Sequence, residues 1–222
     1  MSDASAVERL DAVTDSIRRA AASAGRPAAE VTLIAVSKTH PVEAIRPLIE
    51  AGHRVFGENR VQEAQEKWPE LRGGAPDIRL HLIGSLQSNK ALDAVALFDC
   101  LHSIDRSSLV EAVAAAMAKT GRRPDCFLQV NIGDEPQKGG CAVADLPSLL
   151  EHAREARLPV LGLMAIPPAD LEPAPYFALL AKLARRHGLT GLSMGMSADF
   201  PTAVTLGATH VRVGTALFGD RG

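Results

Sequence analysis

Apolar and polar positions alternate along this chain in two different periods, and the places where one gives way to the other mark its elements. Over residues 7–22, Val7, Leu10, Val13, Ile17 and Ala21 recur at steps of three and four, which predicts an amphipathic helix ahead of everything else. After it come eight short apolar runs rich in β-branched residues, at 31–37, 54–57, 79–84, 98–104, 125–131, 160–166, 192–195 and 210–214. Helical stretches fill the gaps, beginning near Pro41, Arg60, Ser88, Arg106, Asp145, Pro173 and Asp199. Runs that are apolar on both faces and separated by helices indicate parallel strands covered by helices. Eight such units predict an α/β fold of the (β/α)8 TIM-barrel type, with a doubly wound open sheet as the alternative.

No linker divides the chain, so residues 1–222 are expected to form one barrel domain, with 1–25 as a helix packed on it. Residues 72–76, Arg-Gly-Gly-Ala-Pro, read as a plain loop, and the proline-rich stretch 166–175 as a rigid loop above the rim.

Composition narrows the function classes. Hydrophobic residues make up 46% and charged residues 23%, which argues for a folded globular chain, and a net charge of −2 gives no reason to expect nucleic acid. The three cysteines cannot all pair and none is in a C-x-x-C spacing, so a reducing compartment fits best. The N-terminus lacks a signal peptide's basic start and apolar block, and no run reaches the roughly 18 to 20 apolar residues of a membrane span. A cytoplasmic protein without membrane contact is expected.

Chemistry collects where the runs end. Ser37, Lys38, Thr39 and His40 follow the first run, Gly57, Glu58 and Asn59 the second, and residues 84–90 the third. In β/α barrels the active rim lies at these C-terminal ends. Period-two alternation gives Lys38 the same direction as Val36; pointing inward, it would be desolvated and its pKa lowered, favouring a Schiff base. Gly214-Thr215 after the eighth run and Ser193-Met194-Gly195-Met196-Ser197 after the seventh suit a phosphate, since loops after strands 7 and 8 are the usual phosphate site. An amine opposite a phosphate cradle is what pyridoxal phosphate requires. Arg212 shares a face with Gly214 and needs a partner, either a carboxylate such as Glu58 or a cofactor's pyridine nitrogen. The seven histidines show no metal-ligand spacing, and no metal is expected.

Six motifs in order, Ala35-Val36-Ser37-Lys38, Phe56-Gly57-Glu58-Asn59, residues 81–90, Gly162-Leu163-Met164-Ala165-Ile166, Leu192-Ser193-Met194-Gly195-Met196-Ser197 and Val211-Arg212-Val213-Gly214-Thr215, extend over about 31–219. Through them the chain resembles the alanine-racemase-like, pyridoxal-phosphate-binding homeostasis proteins. That resemblance implies a barrel of the alanine-racemase N-terminal type. It implies that Lys38 carries pyridoxal 5'-phosphate as a Schiff base, that Asn59, Ser193 and Met196 line the ring, and that Arg212 faces its nitrogen. Ser197, Gly214 and Thr215 would hold the phosphate. Leu80 and Leu82 stand where aromatic residues are common in the family, and the Pro167-Pro168 loop is short for it.

A two-base racemase needs a second acid/base opposite the lysine, supplied in alanine racemase by a tyrosine of an added domain; the sole tyrosine here, Tyr176, lies at a predicted helix start and reads as packing. The expectation is therefore vitamin B6 homeostasis, buffering or delivering the cofactor to apo-enzymes as a monomer, with no catalytic residue. Weak racemisation, or a phosphate-sugar barrel enzyme using Lys38 as its Schiff-base lysine, are the other readings. Lys90 and Lys138, both past strand ends, are candidates for a second cofactor contact.

Overall fold

The computed structural model describes residues 5–219. Eight parallel strands, β1 (Thr32–Val36), β2 (Val55–Glu58), β3 (Arg79–Leu82), β4 (Cys100–Ile104), β5 (Asp125–Gln129), β6 (Val160–Met164), β7 (Gly191–Ser193) and β8 (His210–Val213), pair in sequence order and close into a barrel. Closure is made by β1 on β8, with Thr32 opposite His210 and Ala35 opposite Val213, which rules out the open sheet. Each strand falls within two residues of an expected run, because the runs were bounded by the same Gly, Pro and polar residues that end the ladders.

The helices are α1 (Ala6–Ser23), α2 (Val42–Glu50), α3 (Val61–Gly74), α4 (Ala91–Leu97), α5 (Ser107–Thr120), α6 (Leu146–Glu155), α7 (Ala174–Arg186), α8 (Phe200–Thr205) and the short α9 (Thr215–Phe218). Helix α1 starts at a capping box in which the Glu8 backbone N–H donates to Ser5 Oγ and the Ser5 N–H donates to the Glu8 carboxylate. It buries Leu10, Val13, Ile17 and Ala21 against the barrel's helical coat, touching α2, α8 and α9, while Val7 stays exposed. One loop expectation fails. Residues 72–74 belong to the last turns of α3, and the break comes at Ala75, because Arg72 is held there by bonds to the carbonyls of Ile78 and Leu97 and to Asp99.

The core has two parts. Alternate strand residues such as Phe56, Leu80, Leu82, Leu101, Leu128 and Leu163 point outward into a hydrocarbon layer shared with the helices. The other set points into the lumen, where Cys100, Phe127 and Met164 form a small separate cluster. On β6 and β7 two glycines allow close strand approach: a Cβ on Gly162 would lie 1.9 Å from the Gly191 carbonyl oxygen, and one on Gly191 would lie 2.9 Å from the Phe127 ring. Phe127 and the His102 ring, stacked with centroids 4.5 Å apart, fill that space.

Candidate functional site

At the C-terminal rim the strand ends enclose a cavity of about 350 Å³. Its wall includes Lys38 from the end of β1, Asn59 from β2, Met196 and Ser197 from the loop after β7, and Arg212, Gly214 and Thr215 from β8 and its exit. Seven of the eight residues expected at a cofactor are thus brought to one cavity. The eighth, Ser193, lies fully buried one layer lower, in contact with Arg212. Val36 also lines the cavity, so Lys38 takes the inward direction.

Several lining residues went unread in the sequence. Ile83 and Ile166 were each visible as the last apolar residue of a run, and Ile83 shares a face with the lumen residue His81. Gly219 carried no such signal, whereas His40, stacked on Phe218 with centroids 4.3 Å apart, was among the polar residues expected at the end of the first run.

The loop that follows Lys38 is held from outside the barrel. Ser37 and Glu58 point away from the lumen, and Ser37 Oγ donates to Glu58 Oε1 at 2.7 Å. From α3, Trp68 Nε1 donates to the same oxygen at 3.1 Å, and Lys67 Nζ pairs with it at 2.8 Å. Lys67 also donates to the Ser37 and His40 carbonyls, and Glu63 accepts the Thr39 backbone N–H. Thr39 has φ of 64°, a conformation these bonds on both sides keep in place. Burial raises the Glu58 carboxyl above its usual range, against the opposing effect of Lys67 and the hydrogen bonds. Glu58 is therefore the partner of Lys67 and not of Arg212: period-two alternation sends it to the other side of the sheet.

Arg212 has other partners. Its guanidinium donates to Ser193 Oγ at 2.7 Å, to the Ser193 carbonyl at 2.8 Å and to the Ala165 carbonyl at 3.0 Å. Burial lowers its pKa to about 10, which leaves it charged at neutral pH. Below it runs a buried chain: His102 Nδ1 lies 2.9 Å from Ser193 Oγ, and His102 Nε2 lies 3.0 Å from His81 Nδ1. Burial holds both imidazoles well below their ordinary pKa, so both are neutral.

At the exit of β8 the backbone N–H groups of Gly214 and Ala216 converge on Ser197 Oγ, at 3.3 and 3.4 Å. The loop from β7 reaches that position because Gly195 takes φ of +92° where an added Cβ would lie 2.6 Å from the Ala203 Cβ and 3.0 Å from the Phe200 Cα. Lys90 and Lys138 are not in the cavity wall: Lys138 donates to the Pro167 carbonyl at 2.8 Å and pairs with Glu135, and Lys90 is 3.9 Å from Asp93.

Comparison with known proteins gives a consistent result. The family described as alanine racemase, N-terminal domain, matches residues 9–222. A protein named pyridoxal phosphate homeostasis protein from Pseudomonas aeruginosa is 44% identical, covering 96% of this chain and 95% of the relative. One of the same name from Aquifex aeolicus is 40% identical, covering 97% and 98%. The structure of PipY from Synechococcus elongatus with pyridoxal phosphate bound superposes with a TM-score of 0.80 at 43% identity, over 92% of this chain and all of that one. Alanine racemase of Clostridium difficile, at 12% identity and a TM-score of 0.69, shares the fold over 94% of this chain and 56% of its own length.

Proposed function

The chain belongs to the alanine racemase N-terminal domain family, among its pyridoxal phosphate homeostasis proteins, and on that premise we propose that it binds pyridoxal 5'-phosphate in the rim cavity, as a Schiff base on Lys38, and serves vitamin B6 homeostasis by buffering or delivering the cofactor. The observation that carries this reading is that an amine, a buried guanidinium and Ser197, on whose hydroxyl the backbone N–H groups of Gly214 and Ala216 converge, border one cavity. Each matches one part of the ligand. Lys38 offers the amine for the aldehyde, Arg212 a donor for the ring nitrogen, and Gly214, Ala216 and Ser197 the N–H and hydroxyl donors for the phosphate. Bound there, the cofactor supplies an electrophilic carbonyl carbon and an electron-withdrawing ring.

What the residues do beyond binding argues against efficient turnover. A guanidinium that stays charged donates a hydrogen bond to the ring nitrogen without transferring a proton to it, which weakens the ring as an electron sink. Among the described residues, the ionisable side chains of the wall are Lys38, His40 and Arg212; no carboxylate and no tyrosine borders the cavity. In this reading the chain acts as a cytoplasmic monomer and the recipients are apo-enzymes that need the cofactor. No described helix is long and apolar enough to cross a membrane.

The test is the absorption spectrum of the protein with pyridoxal phosphate, before and after borohydride, with mass mapping of the reduced adduct. A reducible band with the cofactor mass on Lys38, lost in Lys38→Ala, is the expected result. A label scattered over surface lysines, or selective binding of sugar phosphates by a colourless protein, overturns it. A second reading, slow amino-acid racemisation, is favoured by His40, whose imidazole borders the same cavity as Lys38. Turnover of L-alanine that disappears in His40→Phe while the spectrum persists would establish it.

A further inference from the structure

The lumen beneath the rim holds a second set of side chains that the cofactor reading does not use. His81 from β3 and Cys100 and His102 from β4 lie together in the lumen, and one ligand atom from each lies within 4.8 Å of the others. All three are buried, at 2%, 1% and 0% exposure. His81 Nε2 is fully buried without a hydrogen-bond partner. An imidazole nitrogen left so in a protein interior is costly, and a bond to a metal would remove that cost. Cys100 packs with Met164, a second sulfur, in the small lumen cluster. We propose that His81, Cys100 and His102 form a buried site for a single univalent soft metal ion, Cu(I).

The choice of ion follows from charge and donor type. Thiolate and imidazole donors select copper or zinc over hard cations, and Cu(I) accepts low coordination where Zn²⁺ calls for a fourth ligand. Binding exchanges one cation for another: the Cys100 S–H bond breaks, an S–Cu(I) bond forms, the proton leaves to solvent, and no electron is transferred. The enclosed site keeps the charge it had before. Zn²⁺ in the same place would leave one positive charge added to a lumen that already holds the Arg212 guanidinium. The outer contacts suit a metal ligand as well. His102 Nδ1 bonds Ser193 Oγ, the kind of contact from the other ring nitrogen that orients a ligating imidazole, and His102 Nε2 would exchange its 3.0 Å hydrogen bond with His81 Nδ1 for the metal. Sequence spacing conceals the site, since its ligands come from neighbouring strands at positions 81, 100 and 102.

The test is an anaerobic titration of the cofactor-free full chain with Cu(I) buffered by bathocuproine disulfonate, read by the ultraviolet sulfur-to-copper absorption, with X-ray absorption on the loaded wild-type protein. One copper per chain is expected, bound to one sulfur and two imidazole nitrogens, with a second, longer sulfur contact if Met164 joins. Cys100→Ser should weaken binding by more than about a hundredfold, beyond what loss of an outer-shell contact causes, while Cys126→Ser and Cys141→Ser leave it unchanged. No copper held against the chelator, an all-sulfur coordination sphere, dependence on Cys126 or Cys141, or preferential retention of Zn²⁺ would each overturn the proposal. The X-ray absorption arm uses the unmodified chain and stays decisive if Cys100→Ser fails to fold.

Discussion

The two faces of the barrel strands are packed on opposite rules. Outward, Phe56, Leu80, Leu82, Leu101 and Leu163 meet the helices in a layer that is mainly hydrocarbon, interrupted by the buried set of Glu58, Lys67 and Trp68. Inward, the same strands carry His81, His102, Ser193, His210 and Arg212, joined mostly through hydrogen bonds. Burial of apolar area stabilises the first layer without regard to direction. The second contributes little net stability but fixes side chains in particular orientations, since each polar group must find its partner. That polar set in the outer layer follows the inner rule, and it sits where it grips the loop carrying Lys38.

The largest effect expected comes from that exception. Lys67→Met leaves Glu58 buried without its cation and should lower unfolding stability by about 3–5 kcal/mol in a denaturant titration. Adding Glu58→Leu should recover much of the loss, yet cofactor affinity should stay reduced, because the Ser37 and His40 carbonyls have lost their donor. Recovery of both would show that the set acts only on stability. Next is Leu82→Ala in the hydrocarbon layer, with an expected loss of about 2–5 kcal/mol from a fully buried site and an unchanged cofactor spectrum in the folded protein. A shifted spectrum would mean that the two layers are mechanically coupled.

Ser193→Ala in the lumen should reverse that pattern. It removes a partner from both Arg212 and His102, costing about 1–3 kcal/mol, while the bound cofactor's absorption moves because Arg212 is no longer held. The last effect appears only on acidification, in the pH profile. Burial lowers the pKa of His210 from 6.5 to about 4, so below pH 6.5 the unfolded chain takes up a proton that the folded chain does not. Its contribution is full above pH 6.5 and lost as the pH falls toward about 4; the melting temperature should drop over that range, and His210→Gln should flatten that part of the curve.

Legibility in the sequence followed the same division. The hydrocarbon layer announced itself by periodicity, which is why all eight strands were found, and the rim was legible because polar residues interrupt apolar runs at each strand end. Lys38, Asn59, Met196, Ser197, Arg212, Gly214 and Thr215 could be placed near one another once the barrel was assumed. The lumen was not legible. His81 and His102 lie 21 residues apart and Ser193 another 91 away, and nothing in their spacing shows that they form a chain; Glu58 was offered to Arg212 for the same reason, with the sheet between them unseen.

Pattern along the chain thus determined the number of strands, their faces and the chemistry available at the rim, because period-two and period-3.6 alternation are local consequences of backbone geometry. Closure of β1 on β8, the direction of Lys38, the partner of Glu58 and the meeting of His81, Cys100 and His102 were decided only by the tertiary structure. Barrel closure brings side chains from distant strands within hydrogen-bond reach, and local periodicity carries no information about which of them will meet.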